Sequence, residues 1–170
     1  MLELYVMRHA KSSWDNLQLP DHDRPLSDRG KRNAKKICEF FVKKQIKFDL
    51  VLVSSSIRTK KTLKILQNKL EKPKKIITSK SLYLANENKI ALKIKKIKKD
   101  YKKVLLINHE PAVTNLVNYL VKNKENSLFK LMNYKFPTAA FAKIVFDLDN
   151  WSKINDRTGL LKNFIRPKDI

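Results

Sequence analysis

The chain has 170 residues, 38 Lys and Arg against 16 Asp and Glu, and a formal net charge of +22. That length suits one globular unit, so residues 1–170 read as a single domain, and 42% hydrophobic residues spread along it exclude a disordered or fibrous chain. Its two glycines, Gly30 and Gly159, exclude a P-loop, a dinucleotide fingerprint and a nucleophile elbow, while its one cysteine, Cys38, excludes a disulfide framework and a zinc site built from thiolates.

Leu2 to Met7 is a short apolar run with β-branched and aromatic members, which reads as a buried strand. Arg8 and His9 end it before it attains signal-peptide length. No later apolar run approaches the roughly 18 residues of a membrane span, so a cytoplasmic protein is the expectation. The polar segment Asp15 to Arg29, with Pro20 and Pro25, reads as a loop. Ser27 then caps a helix to about Lys44, whose apolar stripe is Ala34, Ile37, Cys38 and Phe41. Asp49 to Val53 is a second strand, Thr59 to Leu70 a helix, Lys75 to Thr78 a third strand and Asn86 to Asp100 a helix. Val104 to Asn108 is a fourth strand, Pro111 to Val121 a helix with proline in its first turn, Ala139 to Phe146 a fifth strand and Gly159 to Ile165 a sixth.

Strands alternating with helices of ten or so residues predict an α/β fold with a mostly parallel central sheet flanked by helices. The last two strands have no helix between them and are expected as an antiparallel flank.

Of the basic residues 31 are lysine and 7 arginine. From Lys89 to Lys103 the apolar Ile90, Ile94, Ile97 and Tyr101 recur at helical spacing, and the lysines fill the other face. That pattern describes a solvated surface with attraction for anions. A dedicated nucleic-acid reader would pair its cations with exposed aromatics, whereas these aromatics sit mostly in apolar patterns, so no specific nucleic-acid partner is expected.

In such a fold ligands collect outside the carboxyl ends of the strands. Strand one ends in Arg8 and His9, strand two in Ser54 to Arg58, and strand four in Asn108, His109 and Glu110. Two imidazoles with two guanidiniums suit a tetrahedral phosphoryl group: guanidinium forks pair with its oxygens, and an imidazole can attack phosphorus. A metal site is not expected, because the guanidiniums would repel a divalent ion and carboxylates are not grouped at these ends. His109 with Glu110 begins like the metalloprotease motif, but Val113 stands where that motif needs its second histidine. His22, in the polar stretch Asp21 to Asp23, reads as structural.

Met7-Arg8-His9-Ala10, Asp23-Arg24-Pro25-Leu26-Ser27 with Gly30, Ser54-Ser55-Ser56-Ile57-Arg58 with Thr62, Asn108-His109-Glu110-Pro111 and Phe136-Pro137-Thr138-Ala139 follow one another along the chain. In this order and spacing they resemble the histidine phosphatase superfamily, and within it the short SixA-type phosphohistidine phosphatases. The likeness runs from about Leu2 to Pro167. It implies a three-layer, phosphoglycerate mutase-like sandwich without a large lid insertion, no cofactor, and a phosphorylated substrate such as a phosphohistidine-bearing protein. His9 matches the family's nucleophile, which forms a transient phosphohistidine; Arg8, Arg58 and His109 match the residues that clamp the phosphoryl oxygens. The His9 ring is expected to donate its other N–H to a backbone carbonyl, and the helix opening at Pro111 to aim its positive end at the pocket.

The sequence departs from the family in two places. Ala10 stands where glycine is usual, and the segment Ser81 to Glu87 carries no glycine where larger members place a general acid. Glu87 and Asp23 are the candidate acids. A substrate whose leaving group needs little help, such as phosphohistidine, is therefore favoured over a small phosphomonoester or nucleotide. A basic nucleic-acid or partner-binding protein on the same fold is the alternative of another class. Arg24 either reaches the phosphoryl group, oriented by Asp23, or belongs to a turn leading into the helix. Ser12 either donates to a phosphoryl oxygen or caps the loop. Trp14 and Tyr83 read as packing or rim residues. The oligomeric state is not legible.

Overall fold

The computed structural model describes residues 1–170. Its strands are β1 (Leu2–Arg8), β2 (Leu50–Ser54), β3 (Lys75–Ser79), β4 (Lys103–Asn108), β5 (Phe141–Phe146) and β6 (Gly159–Ile165). Its helices are α1 (Asp28–Lys43), α2 (Ile57–Gln67), α3 (Glu87–Lys95), α4 (Ala112–Leu120) and α5 (Ser127–Tyr134). The strands make a single sheet in the order β3-β2-β4-β1-β5-β6. The first four pair in parallel, and β5 runs antiparallel to both β1 and β6.

Two apolar layers follow from the strand period of two residues. Tyr5, Met7, Val51, Val53, Leu105 and Ile107 point to one face, where Ala34, Ile37, Phe41, Leu63 and Leu66 of α1 and α2 cover them. Leu4, Val6, Leu50, Leu52, Val104 and Leu106 point to the other, under α3, α4 and α5. Because both faces are covered, β2 is buried along its whole length, as a central parallel strand must be. This is a three-layer α/β sandwich, and no inserted lid domain interrupts it.

The N-cap at Ser27 accepts from the Gly30 amide at 3.0 Å. Gly30 is buried where α1 passes against the Lys11 backbone, so a Cβ there would collide with the Lys11 carbonyl oxygen. Gly30→Ala is expected to lower stability by about 1–3 kcal/mol, the cost of overpacking, read as a fall in the urea midpoint at unchanged slope.

No element is expected from the sequence between Val121 and Ala139, yet α5 lies there. Its two turns are too short for periodicity to reveal, and Asn126 starts it by accepting from the Leu128 amide at 2.7 Å. Helix α3 stops at Lys95 rather than Asp100, because the Lys96 and Ile97 amides turn back to carbonyls three residues away and close the last turn. Strand β5 begins at Phe141 rather than Ala139, since Ala139 has φ 64°.

Candidate active site

The parallel pairing brings three strand ends level. Arg8 is opposite Asn108 across β1 and β4, and Val53 is opposite Ile107 across β2 and β4. The side chains just past these ends therefore meet over the same edge of the sheet, and the His9 and His109 ring centroids are 5.2 Å apart.

His9 is 7% exposed and its backbone is held on three sides. Its amide donates to the Asn108 carbonyl at 3.1 Å, its carbonyl accepts from Ala139 at 3.0 Å, and the next amide, Ala10, donates to Thr62 Oγ1 at 3.0 Å. The ring Nδ1 lies 2.7 Å from the Ala10 carbonyl, which accepts its proton. That bond leaves Nε2 with the lone pair, and Arg58 Nε donates to it at 3.3 Å. Burial, with the neighbouring His109, Arg58 and Arg8 also opposing charge, pushes the His9 pKa down to about 3. The ring is thus neutral and nucleophilic at ordinary pH.

His109 is pushed down to about 4, first by burial and then by Arg58. Its Nε2 is 2.8 Å from Ser54 Oγ, and its Nδ1 is buried with no partner. Arg8 Nη1 donates to the Phe136 carbonyl at 2.9 Å, while Arg8 Nε and Asn108 Nδ2 are also buried and unpartnered. These three unpartnered nitrogens at the ends of β1 and β4 are available to an oxygen-rich ligand. A cleft of about 420 Å³ is lined by Arg58, Asn108, His109, Asp21, Glu87 and Glu110, together with the start of α4. No three His, Cys, Asp or Glu side chains are grouped to hold a metal ion.

Both histidines titrate below the ordinary 6.5, so the unfolded chain takes their protons first as pH falls. Their share of stability is complete above about pH 7 and is lost progressively towards the folded values. By about pH 5.5 this amounts to roughly 1–2 kcal/mol per histidine. Urea midpoints at about pH 7 and 5.5 should show that loss, and His109→Gln should make it shallower.

Asp21 is the residue that sequence reasoning missed. The 3-10 turn Asp21–Asp23 places its carboxylate, not that of Asp23, against the arginines. Arg58 Nη2 donates to Asp21 Oδ2 at 3.0 Å, Arg58 Nη1 to the Asp21 carbonyl at 2.6 Å, Arg24 Nη1 to Oδ1 at 3.2 Å, and the Tyr83 hydroxyl to Oδ2 at 2.7 Å. These bonds, that from Tyr83 foremost, hold the Asp21 carboxyl below its usual range. Asp23 instead lies 3.3 Å from His22 Nδ1, and His22 Nε2 is 2.9 Å from Ser55 Oγ. Asp23 does not orient Arg24, because at three residues per turn it is Asp21, three positions earlier, that shares a face with Arg24.

Arg24 is buried between the Ser12 hydroxyl, the Ser13 carbonyl, Asp21 and the Trp14 ring, whose centroid is 3.2 Å from its guanidinium carbon. Ser12 therefore spends its oxygen on Arg24. Glu87 is the first residue of α3 and lines the same cleft as His109. Tyr83 does more than fill the rim, since it bonds Asp21 and packs edge-on to His109 at 5.6 Å. Ser54 was legible only as one of three successive serines.

The sequence profile of the histidine phosphatase superfamily (branch 1) matches residues 4–83, a segment containing the Arg8-His9 and Arg58 elements. Residues 4–83 thus resemble the histidine phosphatase superfamily. An uncharacterised chloroplast protein of Arabidopsis thaliana is 43% identical over 68 residues, 40% of this chain, and the match spans 31% of that protein's length. Among solved structures, one from Nakamurella multipartitia, assigned as the phosphohistidine phosphatase SixA, superposes with TM-score 0.85 at 21% identity, covering 98% of this chain and 96% of the other. The protein histidine phosphatase SixA complexed with tungstate gives 0.81 at 20% identity, covering 99% of each chain. At such identities the superpositions establish a common fold, which in this chain carries the histidine pair at the sheet edge. No helix is long and apolar enough to cross a membrane.

Proposed function

We propose that this chain, read as one domain over residues 1–170, is a metal-independent phosphatase of the histidine phosphatase superfamily that hydrolyses phosphohistidine through a phosphoenzyme on His9. The observation that supports this best is the His9 tautomer: Nδ1–H is tied to the Ala10 carbonyl and the Nε2 lone pair faces Arg58. Nε2 attacks phosphorus, and the bond from phosphorus to the leaving imidazole breaks as that nitrogen takes the electron pair and a proton. Water then attacks the phosphoryl group on His9, the phosphorus–Nε2 bond breaks, and inorganic phosphate departs. Arg8, Arg58 and His109 balance the charge that accumulates on the phosphoryl oxygens. With the Ser54 hydroxyl donating to His109 Nε2, the unpartnered Nδ1–H is a donor for one of those oxygens.

Arg24 and Ser12 support the clamp indirectly, through Asp21. The solved relative that binds tungstate, a tetrahedral oxyanion, is consistent with the same use of this site.

Glu87 in the cleft lining favours a second reading, a phosphatase of small phosphomonoesters with a working acid. The two separate on one variant. If phosphohistidine is the substrate, Glu87→Gln changes its hydrolysis by less than about twofold; if an alkyl phosphate is, the same change lowers turnover by about 10²-fold. Released phosphate, measured on free phosphohistidine and on a sugar phosphate with both proteins, decides it.

A further inference from the structure

A second cleft, of about 400 Å³, opens between α1, the end of α5 and the closing 3-10 turn Pro167–Asp169. It shares no lining residue with the cleft that holds His109, and its volume is that of a small-ligand site. Helix α1 supplies Arg29, Asn33 and Lys36, which stand at i, i+4 and i+7 and so share one face. Lys135 follows α5, and Arg166 and Lys168 belong to the closing segment. Three separate stretches of chain thus bring cations to one cavity.

No Asp or Glu lines that cavity. Asp169 stands beside it and is engaged by Arg166, whose Nη2 donates to Asp169 Oδ1 at 2.7 Å. Asp15 and Asp28 line a neighbouring cleft that Arg29 also borders, but Asp28 lies 3.7 Å from Lys31 and neither pairs with Arg29. Lys36 Nζ reaches only the Ile170 carbonyl, at 3.4 Å. Arg29, Lys36, Lys135 and Lys168 therefore line one concavity with no carboxylate partner. Lysines on a solvated helix diverge into water, where each is screened; charges gathered around a cavity repel one another, and a polyanion relieves that repulsion.

Tyr134, the last residue of α5, lines the same cavity and is 87% exposed. Its ring is an open stacking face for a base. A nucleoside polyphosphate meets both features: phosphoryl groups of about one to two charges each answer the cations, the Arg29 fork can take two oxygens, and one base meets one ring. A nucleic-acid strand needs a succession of such faces, and the other largely exposed aromatic ring, Trp14, is already stacked on Arg24.

We propose that this cleft binds a nucleoside polyphosphate, with Arg29, Lys36, Lys135 and Lys168 on the phosphate chain and Tyr134 against the base. The binding is separate from phosphoryl transfer at His9 and does not depend on it.

The test titrates ATP, inorganic tripolyphosphate and a single-stranded oligouridylate into the whole protein by calorimetry, without divalent cations and at about 0.15 M salt. Pro137 and Thr138 also line the cleft but are left alone, because their strap holds the end of β1: the Phe136 carbonyl accepts from Arg8, and the Ala139 amide donates to the His9 carbonyl. The cleft variant is Arg29→Gln with Lys36→Gln, two exposed positions where glutamine keeps the helix. Lys98→Gln with Lys99→Gln removes the same charge from exposed positions outside the cleft, and Arg58→Gln reports on the phosphoryl pocket. Circular dichroism confirms that each variant is folded.

The cleft pair should weaken ATP binding by at least about tenfold, and the control pair and Arg58→Gln by less than about twofold. Wild-type protein should prefer ATP to tripolyphosphate by at least about fivefold, and Tyr134→Ala should remove that preference. An equal loss in the control pair would mean attraction by net charge alone, and a loss confined to Arg58→Gln would put ATP in the phosphoryl pocket; either result overturns the proposal. So does tripolyphosphate that binds wild-type protein as tightly as ATP, or an oligouridylate that binds more tightly than ATP and is lost with the cleft pair.

Discussion

His9→Ala lowers hydrolysis of an activated aryl phosphate by at least about 10³-fold, because no other imidazole beside Arg58 keeps an unprotonated ring nitrogen for attack on phosphorus. The nearest candidate, His109, has its Nε2 occupied by Ser54 at 2.8 Å. The expected loss is in kcat, with the folded state retained in circular dichroism. An acid-labile, base-stable phosphoryl label should accumulate on the wild-type protein after rapid quenching and be absent from the variant. A His9→Ala protein that turned over the substrate at the wild-type rate would remove the mechanism altogether.

Arg58→Ala should lower kcat/KM by about 10²–10³-fold, the usual effect of removing a donor aimed at transition-state charge. Arg58→Lys should not restore it. The side-on edge of the guanidinium, with Nε donating to His9 at 3.3 Å, faces the nucleophile, while the end-on edge is held by the Asp21 carboxylate and carbonyl. An ammonium cannot serve both edges. It follows that Asp21 acts by positioning Arg58. Asp21→Ala should cost about tenfold in the wild-type background and almost nothing once Arg58 is alanine, a coupling that a double-mutant cycle measures. Additive losses would mean that Asp21 acts independently of Arg58.

Much of this was open to inspection before any fold was known. The apolar runs of β2 and β4, and of β1 from Leu4 onward, are uninterrupted because both faces of a central strand are covered, and such runs announce their own ends; hence Arg8, His9, Arg58 and His109 stand out as strand-end residues. Ser27 could be picked as a cap because capping is local, a side chain three residues from the amide it satisfies. The boundaries of α2 and α3 were less legible, since where a helix tightens its last turn depends on what its final apolar residue can reach. Of the three acids Asp15, Asp21 and Asp23 in one polar loop, nothing local distinguishes the one that meets Arg24 and Arg58.

The residue types, their order and the strand ends at which they sit belong to the amino-acid sequence alone, because periodicity, capping and charge are properties of neighbouring residues. The tertiary structure alone decided that Arg8 lies level with Asn108, that Ser54 meets His109 and that Asp21 bridges Arg24, Arg58 and Tyr83. Each of these depends on strand order and hydrogen-bond register between segments far apart in the chain. That alignment is settled only when all the layers pack together.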